Sequence, residues 1–290
     1  MQPETKSTNL RIAGPSLSTS LIVTTYNWKE ALDLTLRSIA RQVVLPDEIL
    51  IADDGSGPET ADLIASWRKR LAVPLLHVWQ EDLGYRLARS RNQAIAAANG
   101  SYLVFVDGDM TLHPFFMADH KRAARRGCFI QGVRLLTQAP AAQRMLSEKL
   151  LDLGFFSSGI ERRRHTIRNR LLSWLVYQRL HADQKAIRGC NQGYWRDDLV
   201  RVNGFNEEMV GWGAEDNEIA ARLYQVGVKR RNLKFGGLAI HLHHARRKQP
   251  GPNLNRVLLQ RTIEQRIHWC PSGLDQHLHH DRRRDEAIAM

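Results

Sequence analysis

Short apolar runs alternate with amphipathic segments along the first 112 residues of the chain. Runs of aliphatic and β-branched residues predict buried strands at 19–25, 48–52, 75–79 and 102–106. Apolar residues at helical spacing predict helices between them, at 29–41, 59–70 and 87–98. Strands that alternate with helices favour an α/β fold with a Rossmann-like, mainly parallel central sheet flanked by helices. Ligands of such a fold bind beyond the carboxyl ends of the strands.

The pattern after residue 112 is less regular. Residues 113–186 mix basic and apolar positions with helical character, most clearly in the run 171–177. Two interpretations fit an amphipathic helix there: packing against the core, or contact with a membrane surface. The elements predicted further along are a helix at 216–226, a strand at 235–242 and a basic helical tail after Pro250.

Two acidic pairs follow predicted strands. Asp53-Asp54 comes after the second strand and Asp107-Gly108-Asp109 after the fourth, so both pairs belong to the same rim of one sheet. A carboxylate approaches an anionic diphosphate through a divalent cation, which takes oxygen ligands from both sides. An acidic turn after a strand is also common without a ligand. The triplet alone therefore indicates only that a metal–diphosphate site is feasible.

A second group of residues, Gly211-Trp212-Gly213-Ala214-Glu215-Asp216, combines an aromatic ring with carboxylates. Glycines on both sides of Trp212 permit a tight turn that presents the indole face, on which a sugar can stack. A neighbouring carboxylate can then remove the proton from an attacking hydroxyl. The alternative is a tryptophan anchored in the core and acidic residues that suit the first turn of a helix.

A third group, Ile240-His241-Leu242-His243-His244, stands at the end of the last predicted strand. One imidazole, Asp109 and two diphosphate oxygens would form a reasonable Mn²⁺ shell, since imidazole suits manganese better than magnesium. His241 and His243 point to the same side of a strand, so either is a candidate ligand.

The order of the motifs in the first half resembles a known family. Thr24-Thr25-Tyr26-Asn27, Asp53-Asp54-Gly55-Ser56, Arg89-Ser90-Arg91-Asn92 and Phe105-Val106-Asp107-Gly108-Asp109 follow one another in the chain. With them, residues 18–112 look like a family 2 glycosyltransferase of GT-A fold, the nucleotide-diphospho-sugar transferase fold. Residues 187–244, with Asn203–Glu208 and Gly211–Asp216, are similar to the C-terminal segment of β-1,4-galactosyltransferases and of bacterial chondroitin-type polymerases.

The resemblance implies a donor side. Thr24 and Asp54 would contact the nucleobase, and a carboxylate at the imide N–H favours uridine, because cytidine has a bare acceptor there. Asp107 would lie near the ribose, and Asp109 would ligate Mn²⁺ or Mg²⁺ together with His241, which the resemblance favours over His243. The other residues assigned to the donor are Tyr26, Arg86, Arg89, Arg91 and Gly108, where the three arginines would offset base or phosphate charge.

The resemblance also implies an acceptor side. Asp216 becomes the catalytic base, Glu215 a neighbour that positions a sugar, and Trp212 with Gly213 the stacking platform. Where the galactosyltransferase pattern has a third acidic residue, this chain has Asn217. That departure concerns the identity of the acceptor rather than the base.

The function expected is therefore that of an inverting, metal-dependent transferase. It would move a hexose or N-acetylhexosamine from a UDP-sugar to a hydroxyl of a glycan or lipid-linked acceptor, of the cell-surface polysaccharide or lipopolysaccharide type. The expected organisation is a flexible lead (1–18), a nucleotide-sugar-binding half (19–112), a helical middle (113–186), an acceptor half of the same domain (187–250) and a basic helical tail (251–290).

Composition and charge bear on the partners. A formal charge of +12 points to an anionic partner, and the basic residues cluster at 162–164, 168–170, 246–248 and 282–284. Polar residues at the start of the chain, the lack of a membrane-length apolar run and three scattered cysteines lead us to expect a protein of the cytoplasm. Attachment to the inner face of the cell membrane would explain the basic charge.

Two alternative functions remain at this point. A nucleotidyltransferase acting on sugar phosphates also uses acidic residues on an α/β sheet, but it usually has a Gly-rich phosphate loop after the first strand, where this chain has Thr24–Asn27. A basic nucleic-acid-binding protein fits the charge. The chain, however, shows no zinc-finger spacing, helix-turn-helix signature or RNP-like aromatic motif, so no nucleic acid partner is expected.

Overall fold

The predicted alternation of strands and helices is present in the computed structural model of the chain, which describes residues 17–245 and 254–278. The basic clusters at 246–248 and 282–284 and most of the predicted lead lie outside these residues. Within them the strands are β1 (Thr19–Thr25), β2 (Glu48–Asp53), β3 (Leu75–Trp79), β4 (Tyr102–Asp107), β5 (Met110–Leu112), β6 (Cys128–Gly132), β7 (Leu135–Thr137), β8 (Ile160–Glu161), β9 (Leu180–His181), β10 (Asn191–Trp195), β11 (Lys229–Leu233) and β12 (Ala239–His241).

Helices cover the sheets and connect the strands. Those described are α1 (Lys29–Ala40), α2 (Pro58–Arg68), α3 (Leu87–Ala97), α4 (Phe116–Ala123), α5 (Ala139–Glu148), α6 (Arg170–Gln178), α7 (Arg196–Arg201), α8 (Glu215–Gln225) and α9 (Leu254–Glu264). A 3₁₀ turn over Arg163–Thr166 precedes α6. Among the helices of the described residues, none has the length and apolar content that crossing a bilayer requires.

The central sheet has the strand order β3-β2-β1-β4-β10-β6-β11-β9. Its first four strands are parallel, β10 is antiparallel to both of its neighbours, and β6 is again parallel to β11. The prediction of a mainly parallel sheet flanked by helices is therefore confirmed. A smaller sheet, β5-β12-β7-β8, lies beside it.

Strands β1, β2 and β4 at the centre of the sheet are buried on both faces, which explains their apolar runs. Along β1, Leu21 and Val23 belong to one hydrophobic cluster and Ile22 to the other, on the opposite face. The same alternation repeats in β4, where Val104 and Phe105 belong to different clusters. Burial on both sides is the usual condition of parallel strands.

Strand β10 was not predicted, because its sequence is largely polar. Asn191 and Gln192 are fully buried in it; the Asn191 amide is hydrogen-bonded at both its oxygen and its nitrogen, and Gln192 donates from Nε2 to Gln131 Oε1. Since β10 lies between β4 and β6, a segment from the second half of the chain completes the sheet begun by the first half. The helical description of 113–186 was incomplete, because strands β6 to β9 also come from that segment.

The last predicted strand, 235–242, was too long. Phe235 and Gly237 both have φ values of +56°, a left-handed conformation that interrupts an extended chain. The strand therefore begins only at Ala239 and ends at His241. This shortening matters for the histidines that follow it.

Helix α8, which begins at the predicted catalytic segment, is fixed by a buried ion pair. Arg222 is 0% exposed and donates to Glu218 from Nε at 2.9 Å and from Nη2 at 2.6 Å. Thr262 of α9 donates to the same carboxylate at 3.0 Å, and Arg222 also reaches the carbonyl of Val202. The pair thus joins α8 to α9 and to the loop after α7.

Removing one partner of this pair should be costly. We expect Arg222→Ala to lower the free energy of unfolding by about 3–5 kcal/mol, because it leaves the carboxylate of Glu218 buried without its counter-charge. Urea denaturation followed by circular dichroism measures the effect. Gln225→Ala, at an exposed position of the same helix, is the control and should change stability by less than about 0.5 kcal/mol. Equal stability of the two variants would contradict the structural role of the pair.

Candidate functional site

The carboxyl ends of β1 and β4 bring Thr24 and Asp107 together. The two residues are partners in the strand register, and the Thr24 hydroxyl donates to Asp107 Oδ1 at 3.1 Å. The next residue, Gly108, turns back onto β1 and donates its N–H to the carbonyl oxygen of Thr24 at 2.7 Å. A Cβ atom at Gly108 would lie 2.8 Å from that oxygen, so the middle position of the acidic triplet has room only for glycine.

Asp54, at the end of β2, is buried and holds the loop after β3. It accepts from Gln80 Nε2 at 2.5 Å and from the backbone N–H of Arg86 at 2.8 Å. Burial raises the pKa of its carboxyl. Asp53, by contrast, is entirely enclosed and accepts from the N–H of Ser56. Of the predicted acidic pair, Asp54 is thus the member nearer the rim, and its contact with a nucleobase stays a prediction.

Three further residues assigned to the donor lie around the same loop. The Tyr26 hydroxyl donates to Asp82 at 2.9 Å, and Arg89 donates to Gln80 Oε1 at 2.8 Å. Arg86 precedes α3 and reaches the carbonyl of Glu81. All three remain partly accessible, as a role in ligand binding requires.

Arg91 differs from the other two arginines. Only 2% of it is exposed, and its Nη1 donates to Asp216 Oδ1 at 2.9 Å. Carboxylate oxygens of Asp107 and Glu215 lie 3.8 Å and 3.9 Å from its guanidinium nitrogens. The guanidinium carbon lies over the ring of Phe205, 5.0 Å from the ring centre. Its charge is thus shared among carboxylates of two elements, and the expectation that it also offsets base or phosphate charge of the donor stays a prediction. The residue links the acidic triplet to the predicted base.

Asp216 stands in the first turn of α8 and is fixed by two donors. Besides Arg91, the backbone N–H of Gly189 donates to its Oδ2 at 2.5 Å. A Cβ atom at Gly189 would overlap both the Arg91 guanidinium and this carboxylate. The Asp216 side chain nevertheless remains 17% exposed, so the carboxylate is not fully enclosed.

Glu215 and Tyr85 complete the environment of Asp216. Burial, and then the neighbouring Asp216, raise the pKa of Glu215 to about 7, although Arg91 opposes the shift. Its Oε2 atom is buried without a hydrogen-bond partner among the described residues. Burial and the charge of Glu215 also raise the pKa of the Tyr85 hydroxyl, which therefore stays protonated. Tyr85 was not predicted from the sequence, where it is one aromatic residue in a loop.

The predicted turn around Trp212 is present. Gly211 and Gly213 have φ values of +84° and +104°, which glycine adopts without strain, and Ala214 is also left-handed at +72°. Asn255 of α9 donates to the Gly213 carbonyl at 2.9 Å and so holds the turn. Trp212 is 61% exposed, so the alternative of a core anchor does not apply.

The third group of residues forms a cluster suited to a cation. One ligand atom each from Asp109, His241 and His244 lies within 4.8 Å of the others. Both imidazole Nε2 atoms are 3.3 Å from Asp109 Oδ2, and Asp109 Oδ1 is buried without a hydrogen-bond partner in the described part of the chain. Burial, with help from Arg134, lowers the pKa of His241 to about 3, so its ring is neutral and able to ligate. A carboxylate and two imidazoles suit a divalent transition metal such as Mn²⁺.

The partner of His241 in this cluster is His244 and not His243. The argument for His243 assumed that the strand continues beyond His241, whereas β12 ends there. The chain then turns, His243 donates its N–H to Thr137 Oγ1 at 2.8 Å, and its side chain is exposed. His244 returns toward Asp109, with its ring 5.2 Å from that of His241.

Two protein-family models match this chain. The model of glycosyl transferase family 2 matches residues 20–179, more than half of the chain, and the N-terminal domain of galactosyltransferase matches residues 171–245. The chain belongs to glycosyl transferase family 2. Both resemblances noted in the sequence are thereby confirmed.

Relatives of this family 2 chain include enzymes of different products. Validoxylamine A glucosyltransferase of Streptomyces hygroscopicus subsp. limoneus is 30% identical over 240 residues, which are 72% of this chain and 48% of that protein. The chondroitin synthase of Escherichia coli is 26% identical over 264 residues, 84% of this chain and 38% of that one. The chain thus spans about half or less of the length of these relatives.

Solved structures confirm the GT-A fold. Staphylococcus aureus TarS superposes with a TM-score of 0.57 at 17% identity, covering 90% of this chain and 41% of that one. GalNAc-T7, crystallised with UDP, GalNAc and Mn²⁺, gives a TM-score of 0.61 at 14% identity and covers 84% and 48%. At these identities the comparison establishes the fold alone.

Arg134 of the family 2 chain, to which the sequence assigned no role, lies near the cation cluster, and Arg188 lies near both Arg134 and Arg162. Arg134 lies close enough to Asp109 and His241 to shift their pKa values, and Arg162 and Arg134 together lower the pKa of Arg188 after burial. None of the three has a carboxylate within 4 Å among the described residues. The β7–β8 register and the paired hydrogen bonds between Gln131 and the Arg188 backbone bring them together, a long-range arrangement without a sequence signal.

The raised pKa of Glu215 predicts a pH-dependent stability. The folded state holds this proton more tightly than the unfolded state, so stability falls as pH rises from the ordinary value of 4.5 toward 7. Glu215→Gln removes the ionisation and should raise the free energy of unfolding by about 2–3 kcal/mol at pH 8, with little effect at pH 5. Urea denaturation at both values tests it. Glu208→Gln, at an exposed position, should show no such difference, and a Glu215→Gln effect independent of pH would contradict the assignment.

Proposed function

We propose that this family 2 chain transfers a sugar from a UDP-sugar to a hydroxyl of a glycan or lipid-linked acceptor, with inversion at the anomeric carbon. The observation on which this rests is the position of Asp216. Its carboxylate is fixed by Arg91 and by the Gly189 N–H, is not fully enclosed, and is connected through Arg91 to Asp107. The group proposed for proton removal and a group proposed for donor binding therefore belong to one connected site.

The chemical step proposed uses Asp216 as the general base. The acceptor hydroxyl gives its proton to the carboxylate while its oxygen forms a bond to the anomeric carbon. The bond from that carbon to the diphosphate breaks, and its electron pair leaves with the UDP. A single displacement with one base inverts the configuration. Arg91 orients the carboxylate and remains charged throughout, because the surrounding acidic groups raise its pKa.

On the donor side, Asp54 and Thr24 are proposed to contact the uracil base, and Asp107 the ribose. Support comes from their common location at the carboxyl ends of β1, β2 and β4, where ligands of open α/β sheets bind. Structures of S. aureus TarS hold UDP and UDP-GlcNAc, and the mannosyltransferase of Pyrobaculum calidifontis holds GDP-Man and Mn²⁺. These structural neighbours thus bind nucleotides of more than one kind.

Asp109, His241 and His244 are proposed to hold a divalent metal, Mn²⁺ or Mg²⁺. When bound, such an ion would neutralise the diphosphate that leaves. The orphaned Oδ1 of Asp109 and the neutral ring of His241 fit this role. Arg134 adds a fixed positive charge on the same side of the site, where an anionic leaving group would develop charge.

On the acceptor side, Trp212 and Glu215 are proposed to position the sugar that carries the attacking hydroxyl. The left-handed turn around Trp212 leaves its indole exposed, and Glu215 lies next to the proposed base in α8. With a pKa near 7, Glu215 is able to donate as well as accept a hydrogen bond at neutral pH. The transferred sugar is proposed to be a hexose or an N-acetylhexosamine.

The role of Asp216 is tested by Asp216→Asn. We expect transfer from a UDP-sugar to fall by roughly 10²–10⁴-fold, since the amide cannot take the proton. Binding of UDP, measured calorimetrically, should be unchanged, because Asn keeps the size of the side chain and an oxygen for Arg91. Donor and metal are identified first by a hydrolysis screen of UDP-sugars with Mn²⁺. The control Asp197→Asn, on exposed α7, should turn over like the parent protein, and undiminished turnover of Asp216→Asn would refute the mechanism.

The metal site is tested by a matched pair of histidine variants. His244→Ala should weaken Mn²⁺ binding by at least about tenfold, because even outer-shell partners of a metal are worth roughly 10–100-fold. His243→Ala changes the adjacent, exposed imidazole and should leave the affinity within about twofold. Titration of free Mn²⁺ by electron paramagnetic resonance measures both without substrate. A larger loss in His243→Ala than in His244→Ala would reverse the assignment.

A further inference from the structure

Helix α6 faces its apolar residues outward. Of its nine residues, only Ser173 and Tyr177 are buried, each 5% exposed. The exposed side consists of Leu171 (65%), Leu172 (42%), Trp174 (48%) and Leu175 (54%). An amphipathic surface helix normally packs in the opposite sense, with its leucines on the core.

The orientation of α6 is fixed by specific contacts. Arg231 of β11 donates from Nε to the carbonyl of Tyr177 at 2.7 Å and lies 4.5 Å from the centre of its ring. Ser173 is fitted against Gly236, where a Cβ atom would lie 2.9 Å from the hydroxyl oxygen. Asn169 caps the helix and donates its N–H to the carbonyl of Phe235 at 2.9 Å. The leucines and Trp174 therefore cannot turn inward without breaking these contacts.

The loop before the helix also exposes apolar side chains. Phe155 is 44% and Phe156 93% exposed, and Arg163 donates to the carbonyl of Phe155 at 2.6 Å. This bond ties the loop to the 3₁₀ turn that leads into α6. The α6 face, as we use the term, consists of Phe155, Phe156, Leu171, Leu172, Trp174 and Leu175. Exposed apolar clusters of this kind mark a surface that binds something.

Positive charge surrounds the α6 face. Between residues 160 and 180 the chain has six arginines and one glutamate. Arg168 is paired with Asp119 at 2.8 Å, and Arg163 is bonded to backbone carbonyls. The other four have no carboxylate within 4 Å in the part of the chain that the structure describes. They are Arg162, Arg164, Arg170 and Arg179.

This combination selects among possible occupants. A symmetric dimer would place the same basic surface against itself, which like charges oppose. A basic segment from elsewhere in the chain would be repelled from this face in the same way. An anionic bilayer satisfies both features, because leucine, tryptophan and phenylalanine enter the acyl boundary while arginines reach the lipid phosphates. We propose that the α6 face docks the protein peripherally on an anionic lipid surface.

The segment that leads into α6 approaches the loop that holds Asp216. Arg162 lies between β8 and α6 and is close enough to Arg188 to influence its ionisation. Arg188 in turn precedes Gly189, the residue whose N–H fixes Asp216. Docking would thus hold the site beside the bilayer. Only this consequence depends on the proposed transferase activity, since lipid binding itself does not require it.

Co-sedimentation of the full chain with vesicles tests the proposal. We expect binding to vesicles that contain phosphatidylglycerol, weak binding to phosphatidylcholine alone, and a decrease with added salt. The double variant Trp174→Ser/Leu175→Ser should bind at least about tenfold more weakly. Leu254→Ser/Val257→Ser is the matched control, since α9 exposes these residues to 68% and 64%, and it should bind like the parent protein.

A second variant separates lipid binding from folding. Arg170→Glu/Arg179→Glu leaves every apolar residue in place and should also lose affinity, by roughly fivefold or more for each arginine brought close to the surface. Both variants should keep the parent Tm, because the substituted side chains are exposed. Equal binding to neutral and anionic vesicles, undiminished binding of both variants, or a dimer that the Trp174→Ser/Leu175→Ser variant abolishes would overturn the proposal. UDP binding, measured in parallel, reports on the transferase site independently.

Discussion

The guanidinium of Arg91 is almost wholly removed from water, and the geometry of the site depends on how that charge is compensated. A buried charge without partners costs several kcal/mol, so the chain must bring carboxylates to it. They come from separate elements: Asp107 from the end of β4, and Glu215 and Asp216 from the start of α8. Helix α3 supplies the arginine itself. The position of Asp216 relative to the acidic triplet is therefore set by the stability of the fold and not by substrate.

The same constraint explains several small residues around the site. Gly189 has no side chain because the Arg91–Asp216 pair fills that space, and Gly108 has none because the chain returns onto Thr24. Three acidic groups also exceed the single positive charge of Arg91. Glu215 accommodates the imbalance by holding its proton up to about pH 7, which lessens repulsion beside Asp216. The acidic surplus toward Asp109 is the part of the site that a cation would neutralise.

The sequence was sufficient for the parts of the molecule that depend on local pattern. Strands β1, β2 and β4 are buried on both faces, so their apolar runs could be recognised in the sequence, and the parallel connection of the strands placed Asp54 and Asp107 on one rim. The hydrophobic pattern did not predict strands in which buried polar side chains are hydrogen-bonded, as Asn191 is in β10. It failed again at His244, whose place beside Asp109 depends on where β12 ends. Arg91 shows a third limit, since no periodicity reveals that its guanidinium is buried among carboxylates of β4 and α8.

Helix α6 shows the physical reason why the sequence could not predict which side of a helix faces the core. Its sequence has one strongly apolar side, and that pattern fits either core packing or a membrane surface. The choice is made by residues distant in the chain, because Arg231 and Gly236 bind the side that contains Tyr177 and Ser173. Arg231 is itself buried and donates to the carbonyls of Tyr177 and Ala123. If α6 packed with its leucines inward, this buried guanidinium would lose its hydrogen bond to Tyr177. The outward position of the leucines is thus imposed by a buried arginine, as the position of Asp216 is by Arg91.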